Sequence, residues 1–200
     1  MIKRSAIFSP CRTYRYALWR PVLDPDPDWQ ELFPNQYVLF VGLNPSTADE
    51  IHDDQTIRRC IGYARAWGFG GLCMANLFAF RATDPKDMKR AADPIGPDND
   101  LHLIQLAAGA GLVVAAWGTQ GSYLDRNTTV MSLLPGLYCL RTTKDGHPAH
   151  PSRLPKDLLP TPWERSCRVC GCTEEDCSEC VERTGRPCHW VAWDLCSACA

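Results

Sequence analysis

Eight of the chain's twelve cysteines fall between Cys167 and Cys199. A segment this short and this poor in large aliphatic residues cannot bury enough apolar surface to fold unaided, so a cross-link must hold it. The spacing indicates which one. Cys167-x2-Cys170 and Cys196-x2-Cys199 are turns that each aim two thiolates at one tetrahedral ion, and two such turns close a four-sulfur zinc site. Between them lie Cys172, Cys177, Cys180 and Cys188, with His189 adjacent, enough donors for a second ion. Zinc, as one ion or two, is the expected cofactor. An iron–sulfur cluster ranks second because the ferredoxin-type cysteine run is missing. A disulfide knot ranks third. It needs an oxidising compartment, and Met1-Ile2-Lys3-Arg4-Ser5 leads into no continuous apolar stretch of a secretory signal. The spacing allows more than one assignment of thiols to ions.

The same cysteines mark a boundary. Pro148, Pro151, Pro155, Pro160 and Pro162 precede them, and proline fixes φ and blocks helix, so an extended linker is expected. The division is a body over residues 1–155, a linker over 156–166 and a Cys-rich tail over 167–200. The tail carries three basic and six acidic residues, which leaves the rest at +1 in a chain of net charge −2. That balance excludes a generally basic, nucleic-acid-coating protein but allows a local basic groove. No apolar run reaches the roughly 20 residues of a membrane-spanning helix, so no membrane partner and a cytoplasmic location in a bacterial or phage-infected cell are expected. Oligomeric state is left open.

In the body, Tyr37–Leu43, Leu72–Leu77, Leu112–Trp117 and Leu137–Leu140 are short continuous apolar runs of the kind that form buried parallel strands. Between them, Ile57, Cys60, Ile61, Ala64 and Trp67 follow helical spacing after Asp53-Asp54, and Gly68, Gly70 and Gly71 end the helix. Leu101, Ile104, Gln105 and Ala108 suggest a second helix, and a third is expected over 120–133. Strands alternating with helices imply an α/β fold: a three-layer α/β/α body with a four-stranded parallel sheet, plus a small C-terminal zinc-binding appendage. Tyr14–Arg20 alternates aromatic and basic residues, as an edge strand or a nucleic-acid contact would.

In such sheets ligands bind beyond the carboxyl ends of the strands. There the sequence places Asn44, Asn76, Trp117-Gly118-Thr119 and the loop from Lys144 to Ser152. Neither GxxxxGK[ST] nor GxGxxG follows the first strand, so no nucleotide cofactor is expected. Cys60 and Cys73 sit on apolar faces and read as core.

Four segments, in order, resemble the uracil-DNA glycosylase superfamily. Val38–Pro45 resembles the strand and Gly-x-Asn-Pro turn of its thymine/mismatch-specific branch. Gly71–Asn76 resembles the strand ending in a base-reading asparagine, Val113–Gly118 the third strand, and His150–Pro155 the His-Pro-Ser loop. The pattern also resembles an allied bacterial and phage family, with which it shares Asp53–Cys60 and Thr83–Pro85 and to which no reaction is attached.

The resemblance implies an N-glycosylase acting on a pyrimidine in DNA, by base flipping, in repair or modification. Asn44 would position the water, with Asp53, or its neighbours Asp49 and Asp54, supplying basicity. His150, or His147 in reserve, would stabilise the departing base. Asn76 would read the base edge, and Trp117 would wall the pocket. Ser46 stands where the most uracil-selective branch has a tyrosine that excludes a 5-methyl group, so a 5-substituted pyrimidine is expected. Leu154 falls at the position of an apolar wedge, and Lys144 and Arg153 are expected to meet phosphate. Two alternatives remain. The pocket acts on a free nucleotide or a hypermodified phage base, or it binds a base without catalysis, as the lack of an aspartate at position 44 favours.

Overall fold

The computed structural model describes residues 2–22, 37–134, 136–173, 176–192 and 194–200. Trp29 and Trp193 lie outside these residues.

The body's strands are β1 (Ser5–Phe8), β2 (Arg15–Pro21), β3 (Tyr37–Gly42), β4 (Gly71–Asn76), β5 (Leu112–Ala115), β6 (Tyr138–Cys139) and β7 (Thr161–Pro162). They form a single sheet in the order β1-β2-β4-β3-β5-β6-β7. The four apolar runs are its centre: β3 lies parallel to β4 and β5, and β5 parallel to β6. The expected count of four strands is corrected to seven, because β2 and β1 extend one edge and β7 the other, all antiparallel. Every residue of β4 is buried, the condition that produces a continuous apolar run.

Helix α1 (Gln55–Ala66) covers one face, burying Ile57, Cys60, Tyr63 and Ala64 against Val38, Phe40, Leu72, Met74 and Val114. It begins at Asp54, whose carboxylate accepts from Ile57 N at 2.8 Å. It ends at Trp67, followed by Gly68 at φ 81°. The other face is covered by α2 (Pro85–Arg90), α3 (Asn99–Ala108) and α4 (Arg126–Leu133), which bring Met88, Leu103, Leu106 and Val130 onto Leu39, Val41, Cys73, Ala75 and Ala115. The helix expected over 120–133 is broken. A 3₁₀ stretch, Thr119–Asp125, precedes α4, and Leu124 and Asp125 at the junction hold φ near 50°.

Residues 156–166 are tied to the body. Trp67 Nε1 donates to Leu158 O at 3.0 Å, Tyr63 Oη donates to Pro155 O, and Trp163 N donates to Leu137 O at 2.8 Å. Proline removes backbone donors from this stretch, but its carbonyls still accept, Leu158 O from Trp67 at the end of α1, and an edge strand tolerates Pro162. Of the two readings of Tyr14–Arg20, the structure has the strand, with Trp19 within β2.

In the tail, α5 (Ser178–Thr184) packs beside the hairpin β8 (Trp190–Ala192) and β9 (Leu195–Cys196). Its core consists of Cys167, Cys172, Cys180 and Cys196. Among the described residues no helix is long and apolar enough to cross a membrane.

The crossover leaving β3 carries α1 over one face to β4. The next returns over the other face to β5, on the far side of β3. This reversal opens a crevice at the carboxyl ends of β3 and β5.

Candidate functional site

The crevice is a cleft of about 370 Å³, lined by the ends of β3, β4 and β5, the start of α1 and the loop bearing His150. Asn44, Ser46, Asn76, Trp117 and His150, chosen from sequence as separate motifs, all line it.

Asn44 follows β3. Its Nδ2 donates to Pro45 O at 3.1 Å and Ala82 O at 2.8 Å, and Ala82 N returns a bond to Pro45 O at 2.9 Å. Two carbonyl partners fix the orientation of the amide, so Oδ1 is its acceptor for a ligand or a water.

Asn76 ends β4 and is 3% exposed, yet its Nδ2 has no partner among the described residues. A Cβ at Gly42, the facing residue of β3, would lie 3.0 Å from Asn76 Oδ1, so glycine there makes room for the amide. Below it, Asn99 Nδ2 donates to Asn76 O at 3.1 Å and Leu77 O at 2.9 Å. Arg126 Nε donates to Leu77 O at 2.8 Å while its other end pairs with Asp100. These buried groups hold the turn and were not singled out from sequence, since a lone Asn and Arg inside helical patterns give no signal.

Trp117 follows β5, 2% exposed, and its Nε1 likewise has no partner among the described residues. Its indole packs on Gly121, where a Cβ would lie 2.2 Å from Cδ1, and meets Trp163 edge-on at 5.4 Å. Gly118 N donates to Pro148 O at 2.8 Å, which ties the strand end to the histidine loop.

His150 stands at the exposed rim. Its Nδ1 accepts from Ser152 N at 3.4 Å and lies 2.9 Å from Ser152 Oγ. An acceptor Nδ1 places the proton of the neutral ring on Nε2. Desolvation by the cleft wall lowers the ring's pKa below the ordinary histidine value, outweighing the opposite pull of Asp54.

Two further ionisable groups line the cleft. Asp54 spends one carboxylate oxygen on Ile57 N. Arg15, 2% exposed, donates from Nη1 to Ala48 O at 2.7 Å, while its Nε has no protein partner. Burial lowers its pKa to about 10, with Asp54 opposing the shift. The aromatic–basic alternation of β2 gave no sign that its arginines turn inward.

Other sequence candidates lie elsewhere. Asp53 accepts from Arg20 Nε at 2.6 Å and from Arg4 Nη2 at 3.0 Å. Burial raises its pKa, but these bonds prevail and hold it below the usual carboxylate range. Asp49 caps Ile51 N at 2.8 Å and His52 N at 2.7 Å. His147 is buried in the hairpin where Thr143 N donates to its carbonyl at 2.7 Å. Lys144 and Arg153 are exposed and do not line the cleft, and half-buried Leu154 packs against the α1 core. Cys60 and Cys73 are core, with thiol pKa values pushed up by burial.

The tail's cysteines form a cluster that could hold a metal ion. Sγ atoms of Cys167, Cys170, Cys172 and Cys196 lie mutually within 4.8 Å, as do those of Cys172, Cys180, Cys188 and Cys196. Individual separations are 3.5 Å for Cys170–Cys180, 3.6 Å for Cys170–Cys196 and 3.7 Å for Cys180–Cys196. Sulfurs of a tetrahedral zinc site stand about 3.8 Å apart, given Zn–S bonds of about 2.3 Å, so the donor set fits such an ion. Burial and neighbouring thiols raise the pKa of Cys172 and Cys180, a cost that a divalent cation reverses. Cys177 and Cys199 belong to neither set, so the pairing of the two CxxC turns expected from spacing is not reproduced at Cys199.

Residues 15–152 match the family model described as Protein of unknown function (DUF1643). No curated protein and no solved structure matches the chain.

Proposed function

Since the chain belongs to the DUF1643 family, whose description names no reaction, we propose from the cleft itself that it binds a pyrimidine base in DNA and hydrolyses the bond to its sugar. The observation that carries this reading is the pair of buried donors without a partner among the described residues, Asn76 Nδ2 and Trp117 Nε1, on two residues that line one cleft. An unsatisfied buried donor costs about 1–3 kcal/mol, and a base presenting carbonyl oxygens would recover that cost. The Asn76 amide offers a donor and an acceptor side by side, the complement of a pyrimidine edge. A cleft near the lower end of small-ligand pocket volumes suits one nucleotide. The four-segment likeness to the uracil-DNA glycosylases and the four parallel central strands support the same reading.

In this mechanism the N1–C1′ bond breaks with its electron pair leaving on the base, chiefly at O2, where His150 Nε2–H donates to the developing anion. Asn44 Oδ1 orients a water toward C1′. The free oxygen of Asp54, which replaces Asp53 as the base because it faces the cleft, takes that water's proton as oxygen bonds to C1′. Ser46, smaller than a tyrosine, leaves space for a 5-substituent. Lys144 and Arg153 meet phosphates outside the cleft, and Leu154 enters the duplex only by leaving its packing. Zinc in the tail is structural, and the tail docks protein or nucleic acid.

Oligonucleotides carrying uracil, thymine mispairs, 5-hydroxymethyl and bulkier 5-substituted pyrimidines test the reading. Abasic product from the 5-substituted bases is expected, lost by about 100-fold or more in Asp54→Asn. Selective excision of uracil alone would refute the assignment of Ser46. DNA binding without abasic product would make the cleft a reader of bases, and turnover confined to free nucleotides would move the substrate out of DNA.

A further inference from the structure

The eight tail sulfurs are crowded in a way that two separate four-cysteine sites do not explain. Both sets of four mutually close sulfurs contain Cys172 and Cys196. Cys170 and Cys180, one from each set, are themselves 3.5 Å apart. Cys170, Cys172, Cys180 and Cys196 are therefore mutually close as well, with Cys167 joined to the first set alone and Cys188 to the second, so six cysteines make up two overlapping groups of four. Zinc in a structural site takes four ligands, and six sulfurs satisfy two ions only if two of the sulfurs serve both. The shared pair follows from membership, since Cys172 and Cys196 belong to both of these sets, and both are buried, at 5% and 0% exposure. A thiolate this buried and this close to others is stable only where cation charge is concentrated, and a bridging position supplies two cations.

The remaining two sulfurs have other occupations. Cys199 Sγ accepts from Arg183 Nη2 at 2.9 Å. Cys177 Sγ accepts from Cys188 N at 3.2 Å and lies 3.1 Å from Cys188 Sγ, at the margin of the second set.

We propose that the tail binds two zinc ions as one thiolate-bridged cluster. Cys172 and Cys196 are shared, Cys167 and Cys170 complete the first ion, and Cys180 and Cys188 complete the second. The proposal rests on the zinc reading of the tail and goes beyond it in stoichiometry and connectivity. Cys177 and Cys199 are hydrogen-bond acceptors beside the cluster.

Elemental analysis of the full chain, purified without chelator, tests it. Two zinc ions per chain are expected, retained in Cys177→Ser and Cys199→Ser. Cys167→Ser and Cys188→Ser should each keep one, and Cys172→Ser and Cys196→Ser should keep none. Because the last two variants can also fail by unfolding the tail, cadmium-113 NMR of the unmutated chain gives a second reading. Two cadmium resonances split by each other through a shared sulfur are expected. One zinc per chain overturns the sharing but not the zinc reading, as do two unsplit cadmium resonances with an ion lost in Cys177→Ser or Cys199→Ser. Iron with inorganic sulfide overturns both.

Discussion

A hydrogen atom at position 42 decides where the Asn76 amide can sit. Replacing Gly42 by alanine puts a methyl carbon 3.0 Å from Asn76 Oδ1, tighter than van der Waals contact, and the amide must yield by a few tenths of an ångström. Gly42→Ala is therefore expected to weaken base binding about 10-fold while changing the denaturation midpoint little; an unchanged affinity would contradict the role given to Asn76. The two histidines divide in the same way. His150→Ala should lower excision by about 100-fold, whereas His147→Ala should act on stability, with activity per folded molecule kept within a few fold. Desolvation lowers the His150 pKa, so the ring stays neutral at pH values where an ordinary histidine, with pKa about 6.5, is half charged. Protonating Nδ1 would set it against Ser152 N–H. The His150 component of the acid limb of the activity profile should consequently have its midpoint below pH 6.5 and be lost in His150→Ala. Asn44 and Asn76 were legible as residues because polar groups at the ends of apolar runs have one place to go in an α/β fold, whereas His150, well beyond the fourth run, was legible through the likeness of its His-Pro-Ser loop. Asp54 was legible only as one of three neighbouring aspartates, and its separation from Asp53 depends on which way two successive side chains turn at a helix start.

At the scale of elements, the central strands were legible because burial on both faces leaves nothing but apolar residues. β2 was legible only as one of two readings, and its place inside the sheet edge was not, because its buried arginines are satisfied by groups distant in sequence. Arg20, fully buried, bonds Asp53 at 2.6 Å and Asp49 O at 2.5 Å. This ties the loop before α1 to the sheet and carries a pH dependence. Asp53 has a pKa lowered by Arg4 and Arg20 against the effect of burial, so its contribution is present above the unfolded value of about 3.9. It is lost as pH falls through the lower folded value. Acid denaturation below pH 4 should be shallower in Asp53→Asn, and an identical acid limb would contradict the pairing. The broken helix after β5 was misjudged from an apolar pattern that continues across a backbone reversal at Leu124-Asp125. That break lets Gly121 lie under Trp117. Gly121→Ala, with its Cβ 2.2 Å from the indole, should destabilise the body by about 1–3 kcal/mol and displace Trp117, seen as a changed near-ultraviolet circular dichroism signal.

Across the whole molecule, two apolar cores on opposite faces of one sheet stabilise the body, while the tail's core is sulfur. The composition boundary near residue 167 was visible because cysteine density has few physical meanings. The seventh strand in the supposed linker was hidden because a two-residue edge strand has no period. A strong chelator should thus unfold the tail, reported by the Trp190 environment over which Arg165 lies at 4.2 Å, and leave the body's thermal transition within a few degrees. Loss of the body transition would contradict separate stabilisation. The central claim, that the cleft at the reversal around β3 receives a base, is tested most directly by nitrogen-15 NMR of the Trp117 indole and Asn76 amide during titration with an oligonucleotide carrying a 5-substituted pyrimidine. Both signals should move together and saturate together; saturated DNA binding with both signals unmoved would contradict it.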